Sequence, residues 1–268
     1  MKVENKQIIV TGAGGGLGRE LVLALLSKGA RIIAIDINQS ALNETIKQAG
    51  DNNPNVVGYL LNITDKKAVE ELVIEIINKY GVIDGLINNA GIIQPFVKLN
   101  DLSYDVIERV FNVNFLGTLY ITKALLPHFL SRPDAHIVNI ASMGGFLPVP
   151  GQTIYCASKA AVKLMTEGLS AELTETNVRV SIVFPGAMNT NIMGNSGLET
   201  NGQKSGEQNP MKILSPTDAA KMIINGMEVN KDRIFVGKDS KMMDWFYRVN
   251  PGFAARLIYK KMRDKLSN

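Results

Sequence analysis

The sequence predicts an α/β fold in which seven parallel strands form one doubly wound sheet with helices on both faces. Short β-rich apolar runs alternate with amphipathic helical patterns along most of the chain, which is typical of strands joined by crossover helices. A glycine-rich turn lies between the first apolar run and the first helical pattern. Because crossovers between parallel strands are right-handed, we expect the strand order 3-2-1-4-5-6-7.

Each element follows from its local pattern. The predicted strands are short runs rich in Val and Ile, at residues 7–10, 31–35, 56–61, 85–88, 136–141, 179–184 and 233–236. The predicted helices carry apolar residues at helical spacing, at residues 18–28, 39–49, 65–80, 104–130, 153–175 and 217–229. Asp65 after Thr64, and Ser215 before Pro216, are typical signals for the start of a helix.

The chain is expected to hold one large domain and a short extension. We expect a dinucleotide-binding and catalytic domain at residues 1–240, with a flexible substrate loop at 191–213 that is rich in Gly, Asn, Ser, Gln and Glu. Residues 241–268 carry seven basic and two acidic residues, so their net charge is +5, against +4 for the whole chain. Since the rest of the chain is close to neutral, a nucleic-acid partner is not expected.

Composition excludes several other classes of site. The single cysteine, Cys156, cannot form an internal disulfide, and the two histidines lack the spacing of a zinc site, so no metal is expected. No apolar stretch reaches the ~18 residues that a membrane-spanning helix needs. The first strand begins almost at once, without the pattern of a signal peptide, so a cytoplasmic location is expected.

The glycine-rich turn predicts a Rossmann-type site for a dinucleotide. Glycines from Gly12 to Gly18 let backbone N–H groups and the following helix approach a pyrophosphate without interference from Cβ atoms. The second strand ends at Asp36, where a carboxylate would accept hydrogen bonds from the adenosine ribose and repel a 2′-phosphate. NAD(H) is therefore predicted to be preferred over NADP(H).

A second group of residues predicts proton chemistry. Tyr155 and Lys159 lie one turn apart on the same face of a predicted helix, and Ser142 follows the fifth strand. A nearby ammonium and a cationic nicotinamide ring both favour the phenolate form of a tyrosine. Asn88-Asn89-Ala90-Gly91 follows the fourth strand, where small residues keep space for a cofactor.

Taken together, these motifs resemble those of the short-chain dehydrogenase/reductase family, in its compact single-domain branch, over residues 5–240. The matching motifs are Thr11-Gly12-x-x-x-Gly16-x-Gly18, Asn88-Asn89-Ala90-Gly91, Asn114, Ser142, Tyr155-x-x-x-Lys159, and Pro185-Gly186 followed by Thr190. The resemblance implies an oxidoreductase that interconverts a secondary alcohol and a ketone or aldehyde by hydride transfer. It also implies a homodimer or homotetramer formed through the long helices at 104–130 and 153–175.

The resemblance further implies roles for individual residues. Tyr155 would be the general acid and base, Ser142 would hydrogen-bond the substrate oxygen, and Lys159 would bind the nicotinamide ribose and lower the pKa of Tyr155. Asn114 would hold a water that links Lys159 to solvent. Asn62 stands where the family usually has an acidic residue near the adenine. The implied cofactor contacts are Gly12, Gly16, Leu17, Gly18, Asp36, Asn62, Ile63, Asn89, Ala90, Gly91, Tyr155, Lys159, Pro185, Gly186, Met188 and Thr190.

The expected substrate pocket is mostly apolar. Phe96, Met143, Gly144 and Gln152 flank the catalytic motifs, and no Arg or Lys is expected to face a substrate carboxylate or phosphate. These residues favour a hydrophobic or uncharged substrate. One alternative is an NAD-binding scaffold or redox sensor without turnover. Another is a sugar-nucleotide isomerase, because Gly12, Gly15 and Gly18 also fit that register, although the compact length argues against it.

The extension at 241–268 combines basic, aromatic and Met side chains at helical spacing. It could pack on the protein or a neighbouring subunit, or make a peripheral contact with an anionic membrane. Packing that covers part of the substrate entrance is favoured. That arrangement predicts that Trp245 and Phe246 are buried.

Overall fold

The computed structural model of the protein describes residues 1–188, 196 and 214–262. Its strands are β1 (Gln7–Thr11), β2 (Arg31–Asp36), β3 (Val56–Leu60), β4 (Gly85–Asn88), β5 (Ala135–Ile140), β6 (Val178–Pro185) and β7 (Arg233–Val236). They pair in parallel in the order β3-β2-β1-β4-β5-β6-β7. The predicted seven-stranded parallel sheet and its strand order are therefore confirmed.

Helices cover both faces of this sheet. They are α1 (Gly16–Ser27), α2 (Gln39–Gln48), α3 (Lys66–Tyr80), α4 (Tyr104–Phe111), α5 (Thr118–Leu130), α6 (Thr153–Glu172), α7 (Pro216–Glu228), α8 (Lys238–Val249) and α9 (Pro251–Met262). Both predicted cap residues act as such. The Asp65 carboxylate accepts a hydrogen bond from the backbone N–H of Ala68 at 3.1 Å, and Ser215 Oγ accepts one from that of Asp218 at 3.0 Å.

The alternation of side chains along β1 divides the core between the two faces. Ile8 and Val10 point into one layer, where they pack with side chains of α1 and α7. Ile9 points into the other layer, with side chains of α3 and α5. All three are fully buried. A strand buried on both faces reads as a continuous apolar run, which explains the run at residues 7–10.

The predicted helix at 104–130 is confirmed, but it is not α-helical throughout. A π-helical segment, Asn112–Gly117, separates α4 from α5. A Cβ atom at Gly117 would lie 2.6 Å from Cδ1 of Ile63, so the missing side chain lets this turn pack closely against Ile63. Such a widened turn is an insertion in the helical pattern, and it frequently occurs at functional sites.

The C-terminal part folds as a helical hairpin, α8 and α9, beside the segment that follows β5. Met243 and Ala254 are buried against Leu147, with Phe146 and Phe246 packed around them. Trp245, however, is 60% exposed and Phe246 only half-buried, so the prediction that both are buried is wrong. Met243 and Phe246 face inward one turn apart, which leaves Trp245 on the outer side of α8. No helix within the described ranges is both long and apolar enough to span a bilayer.

Candidate active site

A cleft of about 860 Å³ opens at the carboxyl ends of the strands, where the strand order reverses between β1 and β4. This is the position at which open α/β sheets bind ligands. Most of the predicted site residues meet there. Those that line the cleft are Gly12, Gly16, Leu17, Asp36, Asn62, Ile63, Asn89, Ala90, Gly91, Ser142, Tyr155, Lys159, Pro185, Gly186 and Met188.

The glycine turn between β1 and α1 has the conformation that its sequence predicts. Gly12 and Gly16 have φ angles of +65° and +53°, a region that side chains other than glycine rarely adopt. A Cβ atom at Gly18 would overlap the carbonyl oxygen of Gly12. Gly18 therefore lies behind the turn and permits its close packing, whereas Gly12 and Gly16 line the cleft.

Hydrogen bonds join the ends of β1 and β4, which together form the floor of the cleft. Thr11 Oγ1 accepts from the backbone N–H groups of Asn89 and Ala90, each at 3.1 Å. The Asn89 side-chain amide donates to the carbonyl oxygens of Thr11 and Gly12, also at 3.1 Å. A Cβ atom at Gly12 would lie only 2.8 Å from Cα of Ala90, so the two turns require small residues where they meet.

Asp36 lies at the end of the cleft beside the glycine turn. Its Oδ2 accepts a hydrogen bond from the backbone N–H of Gly14 at 2.7 Å, and its Oδ1 accepts one from that of Asn38 at 2.9 Å. Asp36 is partly exposed and lines the cleft. The Asp36 carboxylate therefore places a negative charge where β2 ends beside the glycine turn.

Arg19 is a basic residue near this end of the cleft that sequence reasoning missed. Its guanidinium donates to the carbonyl oxygen of Gly14 at 2.6 Å and to Thr45 Oγ1 at 3.0 Å, with a longer contact of 3.4 Å to the carbonyl oxygen of Ala41. These bonds hold the guanidinium against the backbone of the turn.

Asn62 and Ile63 follow β3 and form another part of the wall. Asn62 Oδ1 accepts hydrogen bonds from the N–H and the hydroxyl of Thr64, at 3.1 and 2.9 Å. The side-chain oxygen of Asn62 is therefore already hydrogen-bonded. Its amide N–H groups are the donors that this neutral side chain can offer to the cleft.

Tyr155 lies on the first turn of α6, at the cleft. Burial raises the pKa of its phenol to about 12, and a hydrogen bond with Ser142 partly opposes that rise. The expectation that Lys159 lowers the pKa of Tyr155 stays a prediction, while the net shift in the protein alone is upward because of burial. Ser142 Oγ also accepts from the backbone N–H of Gly144 at 3.1 Å.

Lys159 is buried beneath the cleft floor with only 5% of its surface exposed. Burial lowers its pKa to about 8, and its ammonium donates to the carbonyl oxygen of Ile140 at 2.9 Å. A Cβ atom at Gly91 would lie 3.1 Å from Nζ of Lys159. The glycine therefore leaves room for the lysine side chain to reach the cleft.

Asn114, in the π-helical segment, is fully buried and lies behind the cleft. Its Oδ1 accepts from the backbone N–H of Ile92 at 2.8 Å, while its Nδ2 donates to the carbonyl oxygen of Ile92 at 3.0 Å and to Ser158 Oγ at 2.9 Å. The side chain therefore joins the turn after β4 to α6. The water that Asn114 was expected to hold stays a prediction.

Gln94 supports the start of α6. Its Oε1 accepts from the backbone N–H groups of Ile154 and Tyr155 at 2.8 and 3.0 Å, and its Nε2 donates to the carbonyl oxygen of Gly151 at 3.0 Å. Gln152 in turn donates to the carbonyl oxygen of Gln94 at 2.8 Å. Gln94 thus satisfies N–H groups that a helix start leaves unpaired.

The four predicted substrate residues, Phe96, Met143, Gly144 and Gln152, do not line the cleft itself. Gly144 comes nearest, since a Cβ atom there would lie 3.4 Å from Cε1 of Tyr155. Met143 packs with the C-terminal hairpin, and Gln152 is buried beneath Gln94. The predicted contact Thr190 and the predicted loop at 191–213 lie outside the described residues, apart from Ser196.

One side of α4 supplies polar groups that sequence reasoning missed. Asp105, Glu108, Arg109 and Asn112 line the cleft, and their helical spacing was the available signal. The Arg109 guanidinium donates to the carbonyl oxygen of Ser196. The Arg109 guanidinium thus lies at the cleft but is bonded to a protein oxygen, and the expectation that no Arg or Lys faces a substrate carboxylate or phosphate stays a prediction.

Comparisons with known proteins agree with this geometry. The family described as short chain dehydrogenase matches residues 6–201. SadH of Mycobacterium tuberculosis is 33% identical over 261 residues, covering 95% of this chain and 94% of that protein. The 3-oxoacyl-(acyl-carrier-protein) reductase FabG of Thermotoga maritima is 38% identical over 192 residues, covering 71% of this chain and 77% of that protein.

A solved structure extends the agreement to three dimensions. The short chain dehydrogenase of Burkholderia cenocepacia in complex with NADP has a TM-score of 0.79 and 27% identity, covering 96% of this chain and 99% of that chain. A likeness over nearly the full length of both chains means that the two proteins share this fold.

Proposed function

Because this chain belongs to the short-chain dehydrogenase/reductase family and is an NAD(P)-dependent oxidoreductase, we propose that it interconverts a secondary alcohol and a ketone or aldehyde with Tyr155 as the proton donor and acceptor. The observation that carries the proposal is the meeting of Ser142, Tyr155 and Lys159 on one wall of the cleft opened by the glycine turn. A nicotinamide cofactor bound there supplies or accepts the hydride.

The residues present fit such a cofactor. Gly12 and Gly16 leave a cradle that Cβ atoms would fill, and the N-terminus of α1 directs backbone N–H groups toward it. Asp36 would accept hydrogen bonds from the adenosine ribose, and Asn62 would lie near the adenine. Lys159 would hold the nicotinamide ribose, with Pro185, Gly186 and Met188 beside the ring.

Tyr155 and Ser142 would share the substrate oxygen. In the reduction, the phenol O–H would donate its proton to the carbonyl oxygen as the carbonyl carbon gains the hydride, and in the oxidation the phenolate would accept the hydroxyl proton. Ser142 would donate a second hydrogen bond to the same oxygen. Since burial raises the pKa of Tyr155 to about 12, the protein alone favours the proton-donating form, and the Lys159 ammonium would stabilise the phenolate after transfer.

We propose NAD(H) as the preferred cofactor and an uncharged, largely apolar substrate. The Asp36 carboxylate supports the first, because it would repel a 2′-phosphate, and Arg19 is held by protein oxygens. The apolar side chains of Met143, Phe146 and Leu147 after Ser142 support the second.

We also propose a homodimer or homotetramer formed through α4, α5 and α6. Leu164 on α6 is 70% exposed and Leu130 at the end of α5 is 50% exposed, and a second subunit would cover both. Light scattering at micromolar concentration checks this, and a monomer would contradict it.

The deciding experiment compares turnover in Tyr155→Phe and Tyr80→Phe. A panel of secondary alcohols and ketones is first screened with NAD(H) and NADP(H) by absorbance of the reduced nicotinamide. On the best substrate we expect Tyr155→Phe to lose at least about 100-fold in kcat while cofactor affinity stays near normal, because only the transferable proton is removed.

Tyr80→Phe is the matched control, since it removes a hydroxyl that contacts Tyr59 at 3.2 Å, at the end of α3. It should keep full turnover. If Tyr155→Phe keeps most of its activity, Tyr155 is not the acid and base. If no substrate is turned over while the cofactor binds, the scaffold alternative replaces the proposal.

A further inference from the structure

The outer surface of the C-terminal hairpin combines exposed aromatic rings with basic side chains. Trp245 of α8 is 60% exposed, and Phe253 and Tyr259 of α9 are 48% and 55% exposed. Lys241, Arg248 and Lys260 are exposed among them. We call these six residues the aromatic-basic face.

The rings of Trp245, Phe246 and Phe253 form a continuous patch across the two helices. The rings of Trp245 and Phe246 meet edge to face with centroids 5.2 Å apart, and the centroid of Phe253 lies 6.2 Å from that of Phe246. Phe246 is half-buried because its other side packs with Met243 and Leu147. The inner side chains of the hairpin therefore attach it to the domain. The outer rings take no part in that attachment.

The hairpin is predominantly basic. Residues 238–262 contain six basic and two acidic residues. Both acids have partners within the protein. Asp239 Oδ2 accepts from the backbone N–H of Ala187 at 3.0 Å, and Asp244 is 13% exposed and pairs with Arg233 at 3.6 Å and with Arg248 at 2.8 Å.

We propose that the aromatic-basic face docks the protein on an anionic lipid bilayer as a peripheral contact. Aromatic rings with one apolar and one polar end are suited to the headgroup level, and lysines beside them are attracted to acidic lipids. A surface that carries basic groups beside exposed rings, with both carboxylates already paired, has the charge that complements such a bilayer. The hairpin lies on the surface and does not cross it.

Trp245 is the only tryptophan of the chain, so its fluorescence reports this contact directly. The full-length protein is titrated with vesicles of phosphatidylcholine alone or with added phosphatidylglycerol. With the anionic vesicles we expect a blue shift of the emission and protection from an aqueous quencher, both reversed by salt. Phosphatidylcholine alone should leave the spectrum unchanged.

Two pairs of charge reversals provide the matched comparison, with binding measured by co-sedimentation. Lys241→Glu with Lys260→Glu should lower the partition coefficient at least about tenfold, because two attractions become repulsions. Lys66→Glu with Lys67→Glu, on exposed positions of α3, should leave it unchanged. Phe253→Ser should weaken sedimentation while the circular dichroism spectrum stays that of the wild type.

Three results would overturn the proposal. One is the absence of a spectral change with anionic vesicles. Another is equal binding by the two charge-reversal pairs, which would show that the face is not the contact. The third is a free protein whose Trp245 is already shielded and whose oligomer dissociates on Trp245→Ala, because a second copy would then cover the face. None of these measurements depends on cofactor, substrate or turnover.

Discussion

At the scale of single residues, Asp36 serves two purposes that one substitution can separate. Its carboxylate accepts from Gly14 at 2.7 Å and from Asn38 at 2.9 Å, and it also carries the negative charge at the cofactor cradle. Asp36→Asn keeps an oxygen that can accept from Gly14 but removes the charge. We expect the ratio of kcat/KM for NAD to that for NADP to fall at least about tenfold, which corresponds to ~1.4 kcal/mol.

Asp36→Ala is the companion variant, because it removes both the charge and the hydrogen bonds. It should lose the same cofactor preference and, in addition, some thermal stability. A wild-type protein that binds NADPH more tightly than NADH, or an Asp36→Asn variant with unchanged preference, would show that the carboxylate does not set the choice.

Most of the residues that the sequence predicted for the site lie in the cleft, because their signals are local. Gly12, Gly16, Asp36 and Tyr155 can each be recognised from the strand or helix beside them. Gln94 could not be recognised in the same way. It accepts hydrogen bonds from the N–H groups of Ile154 and Tyr155, which lie 60 and 61 positions later in the chain. Its contribution exists only once β4 and α6 are side by side.

At the scale of secondary-structure elements, Gln94 fixes the first turn of α6, which carries Tyr155. Gln94→Ala leaves the partly buried N–H groups of Ile154 and Tyr155 without their acceptor, and a fully buried group left unpaired costs at most about 1–3 kcal/mol. We expect a lower unfolding temperature and a fall in kcat of about tenfold or more, with cofactor affinity near that of the wild type. Steady-state kinetics and cofactor titration check this.

Gln94→Glu is the conservative control for that prediction. It keeps an oxygen that can accept from both N–H groups but loses the donor to Gly151. It should recover part of the kcat that Gln94→Ala loses. Equal kcat in Gln94→Ala and the wild type would show that the start of α6 holds Tyr155 without help.

The elements also show where local patterns fail. The strands and their order follow from apolar runs and right-handed crossovers, which are properties of neighbouring residues. Gly117 of the π-helical segment packs against Ile63, which comes from the turn after β3 and which no local pattern identifies as its partner. The outward direction of Trp245 depends on which side of α8 meets Leu147, and no helical periodicity in the sequence identifies that partner.

At the scale of the whole molecule, His136 links stability to pH. It lies on β5, fully buried, with Nε2 2.8 Å from Ser181 Oγ on β6, and burial lowers its pKa from 6.5 to about 3. Between these two values the unfolded chain binds a proton that the folded protein does not. His136 therefore favours unfolding increasingly as pH falls below 6.5, by ~1.4 kcal/mol per pH unit, and has no effect above it.

The free energy of unfolding, measured with urea at pH 7, 6 and 5, should show this slope. His136→Gln should reduce the slope by the ~1.4 kcal/mol per pH unit that one proton contributes. In the folded protein, the ring resonances of His136 should not titrate over the same range. A His136 ring that titrates near pH 6.5 in the native state would contradict the prediction, whether or not the variant folds.

The strand order has a consequence for how this molecule acquires its shape. β1 lies between β2 and β4, and Thr11 Oγ1 bonds the N–H of Asn89, 78 residues further along the chain. The loop that closes between them must lose its conformational entropy before these bonds can form. Folding is therefore governed by non-local contacts and should be slow for a chain of this size. A chain emerging from the ribosome cannot complete the floor of the cleft until β4 has been synthesised and has reached β1.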